Sequence, residues 1–314
     1  MEATTVASHV PVLLEETIES LDIRDGGTYL DFTLGRGGHS KRILARIPHG
    51  RLIAFDQDEE AIKESEATLR EVGDNFTLIR DNFRNFDSHL KELGIEKVSG
   101  ILIDLGVSSP QLDEGDRGFS YKLEAPLDMR MDQSQGLTAH EVVNNYSLSE
   151  LTRVIREYGE DREAYQIAKK IVSYRERKPI ETTTELAEIV KSAKPRQSLV
   201  KKGHPAKQAF QAIRIEVNDE EGALIEALKK APGYLEKGGR LAIISFMSLD
   251  DRLVKQCFNK LTRVEGSRTG YERPEEIKEA EYRLVYKKPI IPGERELAEN
   301  HRAASSKLRV IEKL

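Results

Sequence analysis

The stretch Asp31-Phe-Thr-Leu-Gly-Arg-Gly-Gly-His39 (DFTLGRGGH) follows an apolar run and carries three glycines in four positions. A helix-like pattern comes directly after it. Glycine has no Cβ atom, so the backbone can turn tightly here and approach a ligand closely. A strand, a glycine turn and a helix in this order are typical of a loop whose backbone amides meet a ligand. The stretch therefore predicts a binding loop at the end of a buried strand.

Short apolar runs and amphipathic segments alternate around this loop. The runs predict buried strands at 28–33, 51–55, 76–79 and 100–103. Between the second and third runs, Asp58 can cap a helix that Gly73 ends. Strands that alternate with helices at this spacing predict an α/β fold built on a parallel sheet with right-handed crossovers.

The alternation stops after the fourth strand. Residues 110–136 are rich in Gly, Asp and Pro, and helical patterns without strands follow them. One long helix, from 210 to 228, then leads back to strands at 240–246 and 282–286. We therefore expect a discontinuous α/β domain over 1–110 and 206–314, interrupted by an all-helical insert over 111–205.

The composition is that of a globular protein, with 38% hydrophobic and 33% charged residues. No apolar run approaches the roughly 18 residues of a membrane helix, and the first residues lack the features of a secretory signal. We expect a cytoplasmic protein that does not associate with membranes. The single cysteine, Cys257, excludes a disulfide framework, and no cluster of candidate ligands predicts a metal site.

The net charge of −5 does not by itself indicate nucleic-acid binding, but the cations are unevenly distributed. From Lys191 to Arg214 there are seven lysines or arginines and no acidic residue. Such a run is usually a solvated helix face and loop. It is also the pattern of a surface that follows a phosphate backbone, and charge alone favours the first interpretation.

The class of ligand is narrowed by the residues around the glycines. Gly35 and Gly37 fit the dinucleotide pattern G-x-G-x-x-G, but Ser40 occupies its third position. Asp56, 21 residues beyond Gly35, can accept hydrogen bonds from ribose hydroxyls in either class of nucleoside cofactor. The fourth strand decides between them, because Asp104 ends it and Ser-Ser-Pro follows at 108–110. That combination resembles the element that amino-group methyltransferases hold beside the transferred methyl group.

Six motifs extend this resemblance along the chain. Together they resemble the bacterial ribosomal small-subunit RNA cytosine-N4 methyltransferase family: HVPVLLEETI (9–18), DFTLGRGGHS (31–40), DLGVSSPQLD (104–113), RGFSY with PLDMRM (117–121, 126–131), HPAKQAFQAIRIEVN (204–218) and ISFMSLDDR (244–252). The resemblance implies a Rossmann-like class I methyltransferase sheet and S-adenosylmethionine as cofactor. It implies N4-methylation of a cytidine in small-subunit ribosomal RNA near the decoding site, with the assembled subunit as the expected partner and no DNA.

The resemblance also implies roles for individual residues. Asp104 is the expected catalytic residue, Asp56 is expected to hold the ribose, and Phe83 is expected to lie against the adenine. The full set of expected cofactor-binding residues is Gly37, Gly38, His39, Asp56, Phe83, Asp104 and Gln111. Under this interpretation the helical insert becomes a substrate domain, and the basic run becomes an RNA contact.

Three alternatives remain open from the sequence. The chain could methylate another RNA or DNA, or it could be a non-catalytic RNA-binding assembly factor that keeps a cofactor-type fold. A nicotinamide-dependent enzyme is the third, and Ser40 and the Asp104–Gln111 segment disfavour it.

Overall fold

The structure is a computed structural model that describes residues 11–113, 115–200, 203–263 and 280–314. The chain divides into two compact units, which we call the sheet unit (Met1–Gly106 with Ala223–Leu314) and the helical unit (Val107–Gly222). The helical unit is longer at its C-terminal end than the predicted insert, which ended at residue 205. In the described residues, no helix is long and apolar enough to cross a membrane.

The described strands of the sheet unit form one seven-stranded sheet in the order β3-β2-β1-β4-β5-β7-β6. They are β1 (Thr28–Asp31), β2 (Arg51–Asp56), β3 (Phe76–Arg80), β4 (Val98–Asp104), β5 (Leu235–Ser245), β6 (Tyr282–Leu284) and β7 (Lys307–Lys313). The first five strands pair in parallel, and β7 runs antiparallel to both β5 and β6. This strand order and direction match the Rossmann-like class I methyltransferase sheet that the resemblance implied, and that fold class is confirmed. The closing strand β7 was not predicted from its local pattern.

Helices cover both faces of this sheet. The helices of the sheet unit are α1 (Leu14–Ser20), α2 (Gly38–Leu44), α3 (Glu59–Arg70), α4 (Phe86–Glu92), α13 (Ser248–Leu261), α14 (Glu294–Glu299) and the part of α12 (Glu220–Tyr234) that follows Gly222. Successive residues of β4 alternate between the two faces: Ile101 and Ile103 belong to one hydrophobic cluster and Leu102 to the other. Because both faces are covered, the central strands are apolar throughout, as parallel strands usually are.

The helical unit has a hydrophobic core of its own. Its helices are α5 (Ser109–Asp113), α6 (Ala139–Asn145), α7 (Leu148–Glu157), α8 (Ala164–Arg175), α9 (Thr183–Ala193), α10 (Arg196–Leu199) and α11 (Lys207–Asn218). Phe210, Ile213 and Val217 on α11 pack into the same cluster as Leu151 on α7 and Ile167 on α8. The apolar face of α11 therefore explains why this unit continues beyond residue 205.

The long helix predicted from 210 to 228 is instead two helices. Asp219 separates α11 from α12 and adopts a left-handed conformation, with φ of 46°. Asp and Asn tolerate this conformation better than most residues, because their short polar side chains bond locally. The apolar pattern continues across the break, so the sequence pattern alone did not reveal it.

Side-chain caps begin two of these helices, and the first of them was predicted from the sequence. The Asp58 side chain accepts a hydrogen bond from the Glu60 amide at the start of α3, and Thr182 accepts one from the Glu185 amide at the start of α9. Such caps satisfy amides that have no partner within the helix. Local signals of this kind are readable from the sequence because all their atoms lie within a few residues.

The basic run from 191 to 214 is partly used inside the helical unit. Lys194 forms a buried ion pair with Asp161, with Nζ 2.6 Å from the carboxylate oxygen and side-chain exposures of 5% and 0%. Arg214 pairs with Glu220 at 2.8 Å, and both side chains are mostly buried. These two cations therefore stabilise the unit itself. Lys201 and Lys202 of the same run lie outside the described residues.

We predict that Asp161→Asn lowers the free energy of unfolding of the helical unit by about 3–5 kcal/mol, because it leaves the Lys194 ammonium buried without a counter-charge. Denaturant unfolding measures this loss. Lys191→Gln is the matched control, because its pair with Glu188 is exposed and such pairs contribute about 0–1 kcal/mol. Equal losses in the two variants would contradict a structural role for Lys194.

Candidate active site

Three aspartates end three neighbouring strands. β1 pairs in parallel with β2 on one side and with β4 on the other. Asp31 is the last residue of β1, Asp56 of β2 and Asp104 of β4. The strand order reverses at β1, and ligands of open α/β sheets bind outside the carboxyl ends of the strands at such a point. This edge of the sheet is therefore the candidate site.

The glycine loop turns from β1 into α2 at this edge. Gly37 is the N-cap of α2 and has a φ of 74°, a left-handed conformation that glycine adopts without strain. A Cβ atom on Gly38 would lie only 2.2 Å from Cγ of Pro11, so no larger residue fits without movement. The sequence predicted this strand-turn-helix element correctly, and both glycines are required by its geometry.

Asp56 ties the glycine loop to the next helix. Its Oδ2 accepts a hydrogen bond from the Gly35 amide at 2.9 Å, and its Oδ1 accepts one from the Asp58 amide at 2.9 Å. Burial raises the pKa of Asp56 to about 6, although these two hydrogen bonds oppose the shift. Asp58, rather than Asp56, caps α3. The carboxylate is thus held in a fixed orientation.

Asp104 has an oxygen that no group in the described structure satisfies. Its side chain is 25% exposed, but Oδ1 is buried and has no hydrogen-bond partner. Burial, and secondly the charge of Asp31, raise the pKa of Asp104 to about 8. Its backbone amide donates to Thr33 Oγ1 at 2.6 Å. A buried acceptor without a donor is costly, so this oxygen is a candidate contact for a ligand.

His39 lies beside Asp104. Its Nδ1 is 3.6 Å from Asp104 Oδ2, and its buried Nε2 has no hydrogen-bond partner. Burial lowers the pKa of His39 to about 4, against a smaller opposing contribution from the backbone of Val12. The imidazole is therefore neutral at pH 7 and does not neutralise the carboxylate next to it.

Asp31 is a member of this group that the sequence did not single out. It is 1% exposed, and its carboxylate accepts hydrogen bonds from the Thr33 amide and the Ser40 hydroxyl. Burial raises its pKa. The predicted strand at 28–33 placed Asp31 in its interior, whereas β1 ends at Asp31 in the structure. Ser40 was weighed only as a departure from the dinucleotide pattern.

Phe83 and Gln111 lie in different units. In the sheet unit, half-buried Phe83 stacks on Phe32, with ring centroids 5.7 Å apart and planes 7° from parallel. Phe32 follows Asp31 directly, so Phe83 lies at the same edge of the sheet. In the helical unit, Gln111 is buried on α5, and its Oε1 accepts a hydrogen bond from the Ser108 amide at 3.1 Å.

The three strand-end aspartates share one electrostatic property. Within the described part of the chain, no lysine or arginine forms an ion pair with Asp31, Asp56 or Asp104. Buried carboxylates are normally paired with a cation or a metal, since isolated charges are costly to bury. Nor do the described side chains form a group of three or more His, Cys, Asp or Glu residues suited to a metal ion. The residues present therefore fit an organic ligand that carries positive charge.

We predict that Asp104→Asn stabilises the ligand-free protein increasingly as the pH rises from about 5 to 8. The pKa of Asp104 is about 8 in the folded protein, above its ordinary value of 3.8, so the folded state binds this proton more tightly than the unfolded chain. The wild-type free energy of unfolding therefore falls as the pH rises through this window, and the contribution is constant above it. The asparagine side chain does not titrate, so the variant lacks this pH-dependent loss of stability.

Thermal unfolding of both proteins at several pH values measures the difference, and roughly 2–4 °C corresponds to 1 kcal/mol for a protein of about this size. Asp31 and Asp56 titrate in both proteins, so their contributions to the pH dependence largely cancel in the difference. A difference that stays constant between pH 5 and 8 would contradict the raised pKa.

Comparison with known proteins identifies the family of this chain. The sequence matches the MraW methylase family over residues 6–314. Relatives named ribosomal RNA small subunit methyltransferase H, from Streptococcus dysgalactiae subsp. equisimilis and Streptococcus pyogenes serotype M4, are each 52% identical over 309 residues, covering 98% of this chain and 98% of the relative. A solved rRNA methylase structure from Streptococcus thermophilus has a TM-score of 0.42 and 14% identity, and the match covers 98% of this chain and 99% of that one. The family match spans nearly the whole chain, so this protein belongs to the MraW methylase family, and its cofactor is S-adenosylmethionine.

Proposed function

We propose that this protein methylates the exocyclic N4 amine of one cytidine in small-subunit ribosomal RNA, near the decoding site, in the cytoplasm. The observation that carries the proposal is Asp104 at the end of β4, with a buried Oδ1 that has no donor. An exocyclic amine is a donor that this oxygen would suit. The relatives at 52% identity carry the name ribosomal RNA small subunit methyltransferase H, which supports the substrate class.

The cofactor roles follow from what each residue offers. Asp56 would accept hydrogen bonds from the ribose hydroxyls, and the half-buried ring of Phe83 would lie against the adenine. Glycine is required at position 38 by packing within the protein, because a Cβ there would lie 2.2 Å from Pro11 Cγ. The proposed cofactor-binding set is Gly37, Gly38, His39, Asp56, Phe83, Asp104 and Gln111.

Methylation of N4 requires the protein to provide a hydrogen-bond acceptor at the amine hydrogens and to stabilise the positive charge that develops on the amine. When bound, S-adenosylmethionine supplies a methyl group already activated by its sulfonium, so the reaction needs no covalent enzyme intermediate. Methylation would join N4 to the methyl carbon as the carbon–sulfur bond breaks, with S-adenosylhomocysteine as the leaving group, and N4 would give up one proton. The N4 lone pair is conjugated into the cytosine ring. An acceptor at the amine hydrogens localises this pair and stabilises the positive charge that develops.

Asp104 has the properties that this step requires. With a pKa of about 8 in the empty site, Asp104 is mostly protonated at pH 7 and can exchange its proton close to neutral pH. A cationic ligand beside it would favour its charged form, which is the better hydrogen-bond acceptor. Its backbone is fixed by Thr33, so the acceptor is held before the substrate arrives. The target base must leave its stack to reach such an acceptor.

The helical unit carries a surface suited to an RNA backbone, which we call the α8 basic face. Its exposed residues are Arg162, Tyr165, Gln166, Lys169, Lys170, Ser173, Glu176 and Arg177. Four are cations and one is a carboxylate. None of these four cations forms an ion pair with another described residue. An exposed tyrosine (46%) among unpaired cations offers both phosphate contacts and a stacking surface.

A methyl-transfer assay tests the proposed substrate and the proposed role of Asp104 together. With labelled S-adenosylmethionine, we expect transfer to assembled small subunits lacking the modification, and digestion should yield N4-methylated cytidine. Asp104→Asn should lower the single-turnover rate at saturating cofactor by an amount equivalent to about 2.7–4 kcal/mol, the scale for one preorganised electrostatic contact. Transfer to DNA, or to another position of the base, would contradict the proposed substrate.

A variant that loses only cofactor affinity would contradict the catalytic role of Asp104 and leave its binding role intact. Naked ribosomal RNA tested beside assembled subunits separates recognition of a sequence from recognition of the folded particle. We expect the assembled subunit to be the better substrate.

Charge-removing substitutions test whether the α8 basic face binds RNA. The triple variant Lys169→Gln, Lys170→Gln and Arg177→Gln should weaken RNA binding and reduce the slope of log affinity against log salt by about 2–3, because each phosphate contact contributes about 0.7–0.9. The matched control replaces Lys91, Lys255 and Lys260, three exposed lysines of the sheet unit, with Gln. An unchanged slope in the first variant, or equal changes in both, would mean that the face is only solvated surface.

A further inference from the structure

We propose that Asp31 is a positioning residue of the cofactor site, which fixes Asp104 through Thr33 and fixes the first turn of α2 through Ser40. The proposal concerns the S-adenosylmethionine site, so it does not depend on which nucleotide is methylated. Asp31 contacts neither of the free acceptor atoms described above. Its effect is transmitted through hydrogen bonds that join three elements of the sheet unit.

The first connection runs from β1 to β4. The Thr33 amide donates to Asp31 Oδ1 at 3.0 Å, which sets the backbone where the chain leaves β1. In that position Thr33 Oγ1 accepts the Asp104 amide at 2.6 Å. The hydroxyl thus holds the backbone of the residue whose carboxylate carries the unsatisfied oxygen. Movement of Thr33 would move Asp104.

The second connection runs from β1 to α2. The Ser40 hydroxyl donates to Asp31 Oδ2 at 2.7 Å, and Ser40 is fully buried. Ser40 follows His39, whose ring lies 3.6 Å from Asp104. One carboxylate therefore accepts a hydrogen bond from Thr33, which holds the Asp104 backbone, and another from Ser40, which follows His39.

The charge of Asp31 argues for more than a structural role. Asp31 is almost completely buried and has no cationic partner in the described residues, and a neutral side chain could form comparable hydrogen bonds at a lower desolvation cost. The titratable groups around it are Asp56 on β2, Asp104 on β4 and His39 on α2, and the imidazole is neutral. A negative charge in this position has a use when the ligand is a cation, as S-adenosylmethionine is.

Thr33 allows the positioning role to be tested without changing any charge. Thr33→Val keeps the shape and removes the hydroxyl, so the Asp104 amide loses its acceptor. Thr33→Ser keeps the hydroxyl and is the conservative rescue. Ser99→Ala is the matched control, because Ser99 Oγ accepts the Thr28 amide and joins the same two strands, β1 and β4, at their opposite ends. Stability is measured for all three by denaturant unfolding.

Calorimetric titration with S-adenosylmethionine and with S-adenosylhomocysteine gives the readout. We expect Thr33→Val to weaken binding of both about tenfold, Thr33→Ser to bind within about twofold of wild type, and Ser99→Ala to bind as wild type despite lower stability. Wild-type affinity in Thr33→Val would overturn the proposal. So would an equal loss in Ser99→Ala, or a failure of Thr33→Ser to restore binding.

Asp31→Asn tests the charge. The sulfonium makes S-adenosylmethionine more positive than S-adenosylhomocysteine, so the variant should weaken binding of the former more than the latter. The affinity for S-adenosylmethionine should also increase with pH, and the midpoint of this increase should lie at a lower pH than in wild type. The reason is that the variant removes the negative charge of Asp31, which lies near Asp104 and raises its pKa. Equal losses for the two ligands together with an unchanged midpoint would reduce Asp31 to a structural residue. The Thr33 variants remain decisive if Asp31→Asn does not fold.

Discussion

Parallel pairing of β1 with β2 on one side and β4 on the other brings three strand ends to one edge of the sheet, and the rest of the site depends on this pairing. Each of these strands ends in an aspartate, although 25 and 48 residues of chain separate them in sequence. The glycine loop has to leave β1 at the same edge. Asp56 holds that loop, and Asp31 holds the helix that follows it. The backbone of the site is therefore fixed by the fold before any ligand binds.

This arrangement is electrostatically unfavourable without a ligand. Burial raises the pKa of all three aspartates, and the neighbouring imidazole is neutral at pH 7. An internal lysine or arginine would reduce the electrostatic cost of burying these carboxylates, but it would also compete with a cationic cofactor for them. Functional sites commonly depart from the rules that stabilise the rest of a fold. Among the described residues, none of the three aspartates has a lysine or arginine partner, which suits the cationic ligand that we propose for this site.

The helical unit divides its charges between two uses. Lys194 and Arg214 form ion pairs within the unit, and Lys194 is almost fully buried. The cations of the α8 basic face are exposed and have no described anionic partner. Both groups look alike in sequence, as lysines and arginines close to helices. The difference arises because α8 turns one face toward the hydrophobic core and leaves the other to solvent.

The sequence by itself determined the parallel strands, the glycine turn, the cap of α3 and the family, because these depend on neighbouring residues or on long unbroken motifs. Asp56 and Asp104 could be named in advance because an acid that follows an apolar strand is a local signal. Only the tertiary structure decided that β7 lies between β5 and β6, that Lys194 is buried against Asp161, and that Asp219 divides a continuous apolar pattern into two helices. It also showed that the hydrogen bonds of Asp31 reach Ser40 and, through Thr33, the distant Asp104. Strand order, burial and hydrogen bonds across elements depend on residues far apart in the chain, and no local pattern records those contacts.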